Sequence, residues 1–312
     1  MTGDFFTRNF TPRTAGGKVL KVSVNILQGI VYNDLPGFFD PVHFSAPKET
    51  TMPWVHNLDP VLIQLGPVRI GWYGLMYILG FLASYLLVRY QIKNRDFGLS
   101  REEVEDLFVY LILGLIVGAR LGYVLFYDLP QYLSRPWEII AIWHGGMSFH
   151  GGLIGLVLTG ILYARRKKKS FWKLADLFIV TAPIGLGLGR IGNFINGELY
   201  GRVTGAPWGV IFPHGGPRPR HPSQLYECAL EGLVLFIVLW LLRDKKLPTG
   251  GLLAVFLFLY GVFRFSVEFV REPDTQLGFI LGPLTMGQVL SSLMVISGIV
   301  LFFFLRNKSG ER

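Results

Sequence analysis

The residues of this chain best suited to chemistry are charged and amide side chains placed inside or beside apolar stretches. The densest group lies in residues 189–198, at the end of an apolar, glycine-rich run, and its members are Arg190, Asn193, Asn196 and Glu198. Asparagine is costly in lipid unless polar partners surround it, so two asparagines here favour a polar site. A polar helix exit capped by asparagine is the alternative interpretation.

Further charged residues fall where a bilayer would exclude them, and they are Arg120, Glu227, Glu231, Arg264, Glu268 and Arg271. A charge at the centre of a spanning helix costs at least ~2.5–3.5 kcal/mol on insertion scales. Arg264 and Glu268 are four residues apart and therefore share one helix face, either as an internal ion pair or as part of a site. Several arginines facing one cavity suit a phosphate, such as a phospholipid headgroup, because guanidinium binds phosphate oxygens bidentately.

Histidine and tyrosine supply the remaining candidates. In residues 144–152, four glycines accompany His144 and His150. The deeper His150 is a candidate proton acceptor near neutral pH, although a lone histidine is more often structural. The spacing of the two histidines is not that of a zinc site. Tyr73 opens the first apolar run, either as a site residue or as an aromatic residue of the membrane interface.

The overall composition places these residues in a membrane. Of 312 residues, 51% are hydrophobic and 16% charged, and the mean hydropathy is +0.43, whereas a soluble domain carries about 25% charged residues. These values argue against a soluble enzyme, a disordered chain and a fibrous one. The net charge of +9 is expected to orient membrane helices rather than bind nucleic acid.

Seven apolar runs approach the roughly 20 residues that a spanning helix needs, and they are 72–88, 107–127, 147–164, 174–189, 227–242, 251–269 and 283–305. One set of alternate loops, with the C-terminal tail, holds 16 Lys and Arg, and the other set holds 6. The richer set should be cytoplasmic, which puts the N-terminal side outside and the C-terminus inside. The predicted fold is an all-α integral membrane protein, with seven transmembrane helices and a small outward-facing head subdomain.

This pattern divides the chain into three parts. Residues 1–51 are predicted to be an N-terminal extension outside the core, because their apolar patch is too short to span and a second plausible start follows at Met52. Residues 52–305 form the seven-helix domain. This domain includes the outer head loop, 190–226, and loops this long are uncommon unless functional. Residues 306–312 are a cytoplasmic tail.

Four stretches together, residues 72–77, 144–152, 189–201 and 221–227, resemble the family of bacterial prolipoprotein diacylglyceryl transferases, and the resemblance covers about residues 60–305. It implies transfer of the diacylglyceryl group of phosphatidylglycerol to the lipobox Cys of a prolipoprotein signal peptide. A thioether forms and glycerol phosphate leaves, as the first step of lipoprotein maturation in the bacterial inner membrane. No metal or organic cofactor is implied.

The same resemblance implies roles for individual residues. His150 matches the proposed base that activates the incoming thiol, since only the thiolate is a good nucleophile. The implied catalytic residues are His150, Arg264, Glu268 and Tyr73. The implied phosphatidylglycerol-binding residues are Arg190, Asn193, Asn196, Glu198 and Arg120. How His150 and the arginines share the activation stays open, because a field of arginines could by itself lower the thiol pKa.

Two other functions fit part of this pattern. A polytopic transporter for an anionic solute would also use intramembrane arginines. No convincing internal repeat between the first three and last three spans supports it. A lipid-binding structural protein without turnover is a third possibility, and it leaves Glu198 and the asparagine pair unexplained.

Overall fold

A computed structural model describes residues 53–66, 68–273 and 279–310 of the chain. The predicted extension, residues 1–51, lies outside the described residues. The helices of the described part are α1 (Trp72–Asn94), α2 (Arg101–Phe126), α3 (Leu129–Ser134), α4 (Phe149–Arg166), α5 (Phe171–Ile179), α6 (Ala182–Asn196), α7 (Ser223–Leu242), α8 (Gly251–Val267) and α9 (Met286–Gly310). Short 3-10 turns cover Pro136–Ile140 and Ile142–His144.

Short strands connect the helices at their ends. They are β1 (Trp54–Val55), β2 (Val61–Leu65), β3 (Val68–Gly71), β4 (Val210–Ile211), β5 (Phe279–Leu281) and β6 (Leu284–Thr285). β2 and β3 form an antiparallel hairpin that leads into α1, and β5 pairs with β6 in the same way before α9. β1 pairs in parallel with β4, which ties the start of the described chain to the loop between α6 and α7.

The expectation of a helical membrane protein is confirmed at the level of class. Four helices, α1, α2, α7 and α9, are long and apolar enough to cross a membrane, and the bent pair α5–α6 makes up to five. Their outer faces carry exposed apolar side chains, such as Leu86 on α1 (55% exposed) and Leu113 on α2 (52%). In water such side chains would be a liability, whereas lipid accommodates them.

The fourth predicted span differs from the expectation. The run 174–189 is not one continuous helix, because α5 and α6 are separated by a break and bent by 43°. Pro183 lies in the first turn of α6, where a missing N–H is tolerated but a continuous helix would be interrupted. α6 also continues to Asn196 and ends at Gly197 in a left-handed conformation (φ 66°). The polar motif is therefore part of a helix and does not follow one.

Glycines allow the helices that carry the site to pack closely. A Cβ at Gly118 on α2 would lie 2.5 Å from the carbonyl oxygen of Gly151 on α4. A Cβ at Gly232 on α7 would lie 2.7 Å from Cα of Gly187 on α6. Small residues at such crossings let the backbones touch, as is common between helices in lipid. The second crossing brings α6 and α7 together one turn from Arg190.

Candidate functional site

Arg190 on α6 forms ion pairs with two glutamates of α7. Its Nε lies 2.5 Å from Oε2 of Glu227, and its Nη2 lies 3.8 Å from Oε2 of Glu231. Nη1 of Arg190 also donates to Oδ1 of Asn193 at 3.5 Å. The arginine side chain is 19% exposed. It is therefore held from both helices while part of its surface stays open to an incoming group.

Arg264 on α8 shares the same carboxylate. Its Nη1 lies 3.2 Å from Oε1 of Glu227, and its Nη2 is paired with Glu268 one turn later. Oε2 of Glu268 accepts a hydrogen bond from Oγ1 of Thr285 at 2.8 Å, and Nη1 of Arg271 lies 3.9 Å from Oε1 of Glu268. The expectation that Arg264 and Glu268 face each other along one helix is confirmed. We call the linked set Arg190, Glu227, Arg264, Glu268, Arg271, together with Glu231, the buried charge chain.

The buried charge chain is balanced, with three arginines and three glutamates. The glutamate side chains are almost fully buried: Glu227 is 1% exposed, Glu231 0% and Glu268 5%. Glu231 is more weakly paired than Glu227, because its ion pair with Arg190 spans 3.8 Å, whereas Glu227 lies 2.5 Å from Arg190 and 3.2 Å from Arg264. It lies on a π-helical stretch of α7, Cys228–Val234. Such wide turns often mark functional positions.

The asparagine side chains of the polar motif, residues 189–198, both donate hydrogen bonds to Glu198. Nδ2 of Asn193 and Nδ2 of Asn196 donate to the same oxygen of Glu198, at 2.9 and 3.1 Å. Nε2 of Gln224, at the start of α7, donates to the backbone oxygen of Glu198 at 2.6 Å. The two asparagine side chains thus bind a carboxylate, and the helix cap is Gly197 instead. This geometry favours the polar-site interpretation of the motif over a simple polar helix exit.

Tyr73 joins this group through helix packing. A Cβ at Gly192 would lie 2.7 Å from Cδ2 of the Tyr73 ring, so the ring lies directly on the α6 backbone. The Tyr73 hydroxyl is 3.1 Å from that of Tyr77 and also interacts with the side chain of Asn193. The structure therefore brings Tyr73, Arg190, Asn193, Asn196 and Glu198 together at one end of α1 and α6.

Arg120 has a different set of partners from the other arginines. It is 4% exposed, and its five N–H donors all point to backbone carbonyls between residues 138 and 146. Nε donates to Ile139 at 2.9 Å, Nη1 to Gly145 and Gly146, and Nη2 to Glu138 and Ala141. Since arginine has five such donors, none is left over for a phosphate oxygen. Through these hydrogen bonds Arg120 holds the loop that leads to α4 in place.

His150 lies in the first turn of α4 and is exposed. The turn is fixed from two sides. Ser148 caps it by accepting a hydrogen bond from the backbone N–H of Gly151 at 3.2 Å. The backbone of Gly151 also packs against α2 at Gly118 and Gly122. The imidazole itself contacts the edge of Phe149, with ring centroids 5.7 Å apart. The imidazole is therefore accessible at the start of α4.

Glu227, Glu231, Arg271 and His56 belong to the site or its support, and none of them was among the predicted site residues. Glu227 and Glu231 stood out as misplaced charges, and their separation of four residues in an apolar run was the available signal. His56 gave no signal. It is buried (3% exposed), and its Nε2 donates to the carbonyl oxygen of Phe194 at 2.7 Å, which fixes the last turn of α6. Among the residues the structure describes, no three His, Cys, Asp or Glu side chains are grouped as a metal site would require.

Comparison with known proteins gives the family. The family model for prolipoprotein diacylglyceryl transferase matches residues 60–304. Proteins named phosphatidylglycerol--prolipoprotein diacylglyceryl transferase are similar throughout this region. The one from Desulfotalea psychrophila is 55% identical over 253 residues, 79% of this chain and 93% of the relative. Those from Geobacter sulfurreducens and Bordetella avium are 54% and 53% identical, covering 78% and 82% of this chain and 94% and 98% of the relatives. The chain therefore belongs to the prolipoprotein diacylglyceryl transferase family, and it is a transferase.

Proposed function

We propose that this chain transfers the diacylglyceryl group of phosphatidylglycerol to the thiol of the lipobox cysteine in prolipoproteins. The observation that carries the proposal is the convergence of Arg190 and Arg264 on the single buried carboxylate of Glu227, between helices of membrane-spanning character. Both arginine side chains stay partly exposed, 19% and 13%. Two such groups side by side offer bidentate binding to a lipid phosphate.

The reaction needs a thiolate and a stabilised leaving group. The cysteine sulfur attacks a carbon of the glyceryl unit, the bond from that carbon to the phosphate oxygen breaks, and glycerol phosphate leaves with the electron pair. His150, in its exposed position at the start of α4, would accept the thiol proton. Arg190 and Arg264 would stabilise the charge that grows on the departing phosphate.

The remaining predicted residues act around these three. Asn193, Asn196 and Glu198 form one hydrogen-bonded unit next to Arg190, suited to orienting the guanidinium and the glycerol hydroxyls. Glu268 holds Arg264 in place through their ion pair, and we place both residues at the reacting centre. The ring of Tyr73 packs on the α6 backbone and bounds this unit on the side of α1.

For Arg120 the family resemblance implies a contact with phosphatidylglycerol. Its five carbonyl partners support a second role, which is to hold the loop in front of His150. Since these bonds leave no N–H donor of Arg120 for a phosphate oxygen, they favour the loop-holding role over the contact with phosphatidylglycerol.

We also propose that the chain crosses the membrane seven times. The seven spans are α1, α2, α4, the bent pair α5–α6, α7, α8 and α9, with α4 (18 residues) and α8 (17 residues) as the shortest. Helices of that length reach across a thin or locally compressed bilayer. The predicted head loop, 190–226, is shorter than expected, because residues 190–196 belong to α6 and residues 223–226 to α7. The proposed head is therefore residues 197–222, supported by bridges such as Val203 to Arg220 and by the Arg220–Glu272 pair at 2.9 Å. The charge bias of the loops supports a bacterial inner-membrane enzyme with the head outside and the C-terminus in the cytoplasm.

A peptide assay tests the function directly. Membranes containing the protein are incubated with phosphatidylglycerol and a synthetic lipobox peptide, and the peptide is analysed by mass spectrometry. The expected product is the peptide carrying one diacylglyceryl unit on its cysteine. Arg190→Ala should abolish the product, and Lys246→Gln, which removes one charge from a loop at the far end of α7, should preserve it. Absence of the mass shift with the unmodified chain would overturn the proposal.

A further inference from the structure

A second cluster of cations lies at the opposite ends of the helices that form the site. A cavity of about 150 Å³, here called the basic pocket, is lined by four cationic side chains from three segments of the chain. Arg95 follows α1, Lys173 lies on α5, and Arg243 and Lys245 follow α7. The carboxylates that line the same cavity are Asp96 and Asp176, so cations outnumber anions four to two.

Both carboxylates of the basic pocket are already engaged by backbone N–H groups. Asp176 caps the start of α8: its Oδ2 accepts from Gly250 at 2.6 Å and its Oδ1 from Leu253 at 3.1 Å. Oδ1 of Asp96 accepts from Gly98 at 2.7 Å. Neither residue forms an ion pair within 4 Å with a cation of the pocket in the described part of the chain. Their contacts stabilise local backbone. Even with the neighbouring Asp244, which pairs with Arg95 and Arg243, the cations of the pocket outnumber the carboxylates four to three.

Three of the four cations, Arg95, Lys173 and Lys245, have no ion pair shorter than 3.8 Å among the described residues. Nη1 of Arg95 is buried and has no hydrogen-bond partner among the described residues, and its Nε is a distant 3.8 Å from Asp244. Lys173 and Lys245 form no ion pair with a carboxylate in that same part of the structure. Arg243 stacks on Trp240 at 3.8 Å and also pairs with Asp244 at 3.2 Å. A buried donor without an acceptor is costly, so an anion in the cavity would supply what the protein lacks.

We propose that the basic pocket binds the phosphate group of an anionic ligand. The pocket lies where two candidate spans, α1 and α7, come to an end, which is the depth of lipid headgroups at a bilayer surface. Excess positive charge in the loops would orient the protein, but orientation alone requires neither a shared cavity nor a buried donor. A lipid headgroup and a free phosphate ester present the same group to these side chains.

This binding site is separate from the one around Arg190. Tyr73, which packs on the α6 motif, is 22 residues before Arg95 in the chain. At a rise of 1.5 Å per residue the two ends of α1 are about 33 Å apart. A phosphate in the basic pocket therefore belongs to a second ligand and not to the diacylglyceryl donor.

The test uses the full-length protein purified in a zwitterionic detergent. One arm adds phosphatidic acid, which carries a lipid phosphate, and the other adds inorganic phosphate. Bound lipid is counted by native mass spectrometry, and the thermal unfolding midpoint is followed in both arms. The pocket variant is Lys173→Gln with Lys245→Gln. The matched control is Lys93→Gln with Lys246→Gln, which removes the same charge from the same end of the helices outside the cavity.

We expect a saturable site in at least one arm that is weakened about tenfold or more in the pocket variant and unchanged in the control. This site stays occupied in Arg190→Ala, which removes only a phosphate bound around Arg190. Binding of phosphatidic acid alone identifies a lipid headgroup as the ligand, and equal binding of inorganic phosphate identifies a soluble phosphate. Equal loss in the pocket variant and in the control would show diffuse charge attraction and overturn the proposal. Loss of every saturable site in Arg190→Ala, or no saturable binding in either arm, would overturn it as well.

Discussion

Glu227 and Arg190 join α7 to α6 through an ion pair in which Oε2 lies 2.5 Å from Nε. The carboxylate is 1% exposed, and its second oxygen lies 3.2 Å from Nη1 of Arg264. One buried anion thus holds two guanidinium groups side by side. Removing this carboxylate leaves Arg190 with the more distant Glu231 and Arg264 with Glu268, and breaking a buried ion pair costs more than the pair itself contributes.

Glu227→Gln should therefore destabilise the protein by about 3–5 kcal/mol and lower product formation, because two buried arginines lose their shared anion. The thermal unfolding midpoint in detergent and the lipobox-peptide assay measure the two effects. Glu105→Gln is the control, since Glu105 pairs with Arg101 on an exposed surface. An unchanged midpoint for Glu227→Gln would show that the arginines do not depend on this carboxylate.

Glu231→Gln should strengthen binding of phosphatidylglycerol. Glu231 lies 3.8 Å from Arg190 and makes no hydrogen bond with a described residue, so its charge competes with an incoming phosphate for the same guanidinium. We expect the KM for phosphatidylglycerol to fall roughly threefold to tenfold, a change of about 1 kcal/mol. Steady-state kinetics with varied lipid measure this. A higher KM would mean that Glu231 is needed to place Arg190.

Thr285→Val should weaken the hold on Glu268. The Thr285 hydroxyl donates to this buried carboxylate at 2.8 Å, and such bonds to charged groups contribute about 1.5–3 kcal/mol. Activity should fall, and a double-mutant cycle with Glu268→Gln should give a coupling of about 0.5–3 kcal/mol. Ser266→Ala, on the exposed face of α8, is the control. Additive effects of the two substitutions would contradict a shared role.

Gly151→Ala should disturb the start of α4 and with it His150. The new Cβ would lie 2.5 Å from the carbonyl oxygen of Gly118, so α2 and α4 would have to move apart at a cost of about 1–3 kcal/mol. Gly160→Ala on the same helix is the matched control, because its nearest neighbour is an ordinary contact at 3.6 Å. Peptide modification should fall in the first variant only, and equal activity of the two variants would disprove this dependence.

His221 should make stability depend on pH. Burial lowers the pKa of this histidine below its ordinary range, so protons bind preferentially to the unfolded chain. Stability is then lost as the pH falls through about 6.5 towards the lower pKa of the folded state. Thermal unfolding midpoints measured between pH 8 and pH 5 should drop more steeply for the unmodified chain than for His221→Gln. Parallel curves would assign the loss to other groups.

The class of the protein and the members of its polar motif, residues 189–198, could be predicted from the sequence alone. Apolar runs of near-spanning length identify a membrane protein because lipid imposes the same requirement on every helix. The four-residue spacing of Arg264 and Glu268 was enough to predict their contact, since helix geometry alone places them together. The grouping of Arg190, Asn193, Asn196 and Glu198 was likewise local, and these residues meet within two turns.

Contacts between distant segments were decided only by tertiary packing. Glu227 became the shared anion of Arg190 and Arg264 because glycines let α6 and α7 approach closely, which neither segment encodes alone. Arg120 looked equivalent to these arginines in the sequence, yet the loop that folds over it supplies five carbonyl oxygens. A side chain's type fixes what it is able to bind, and the neighbours that the fold brings to it decide what it does bind.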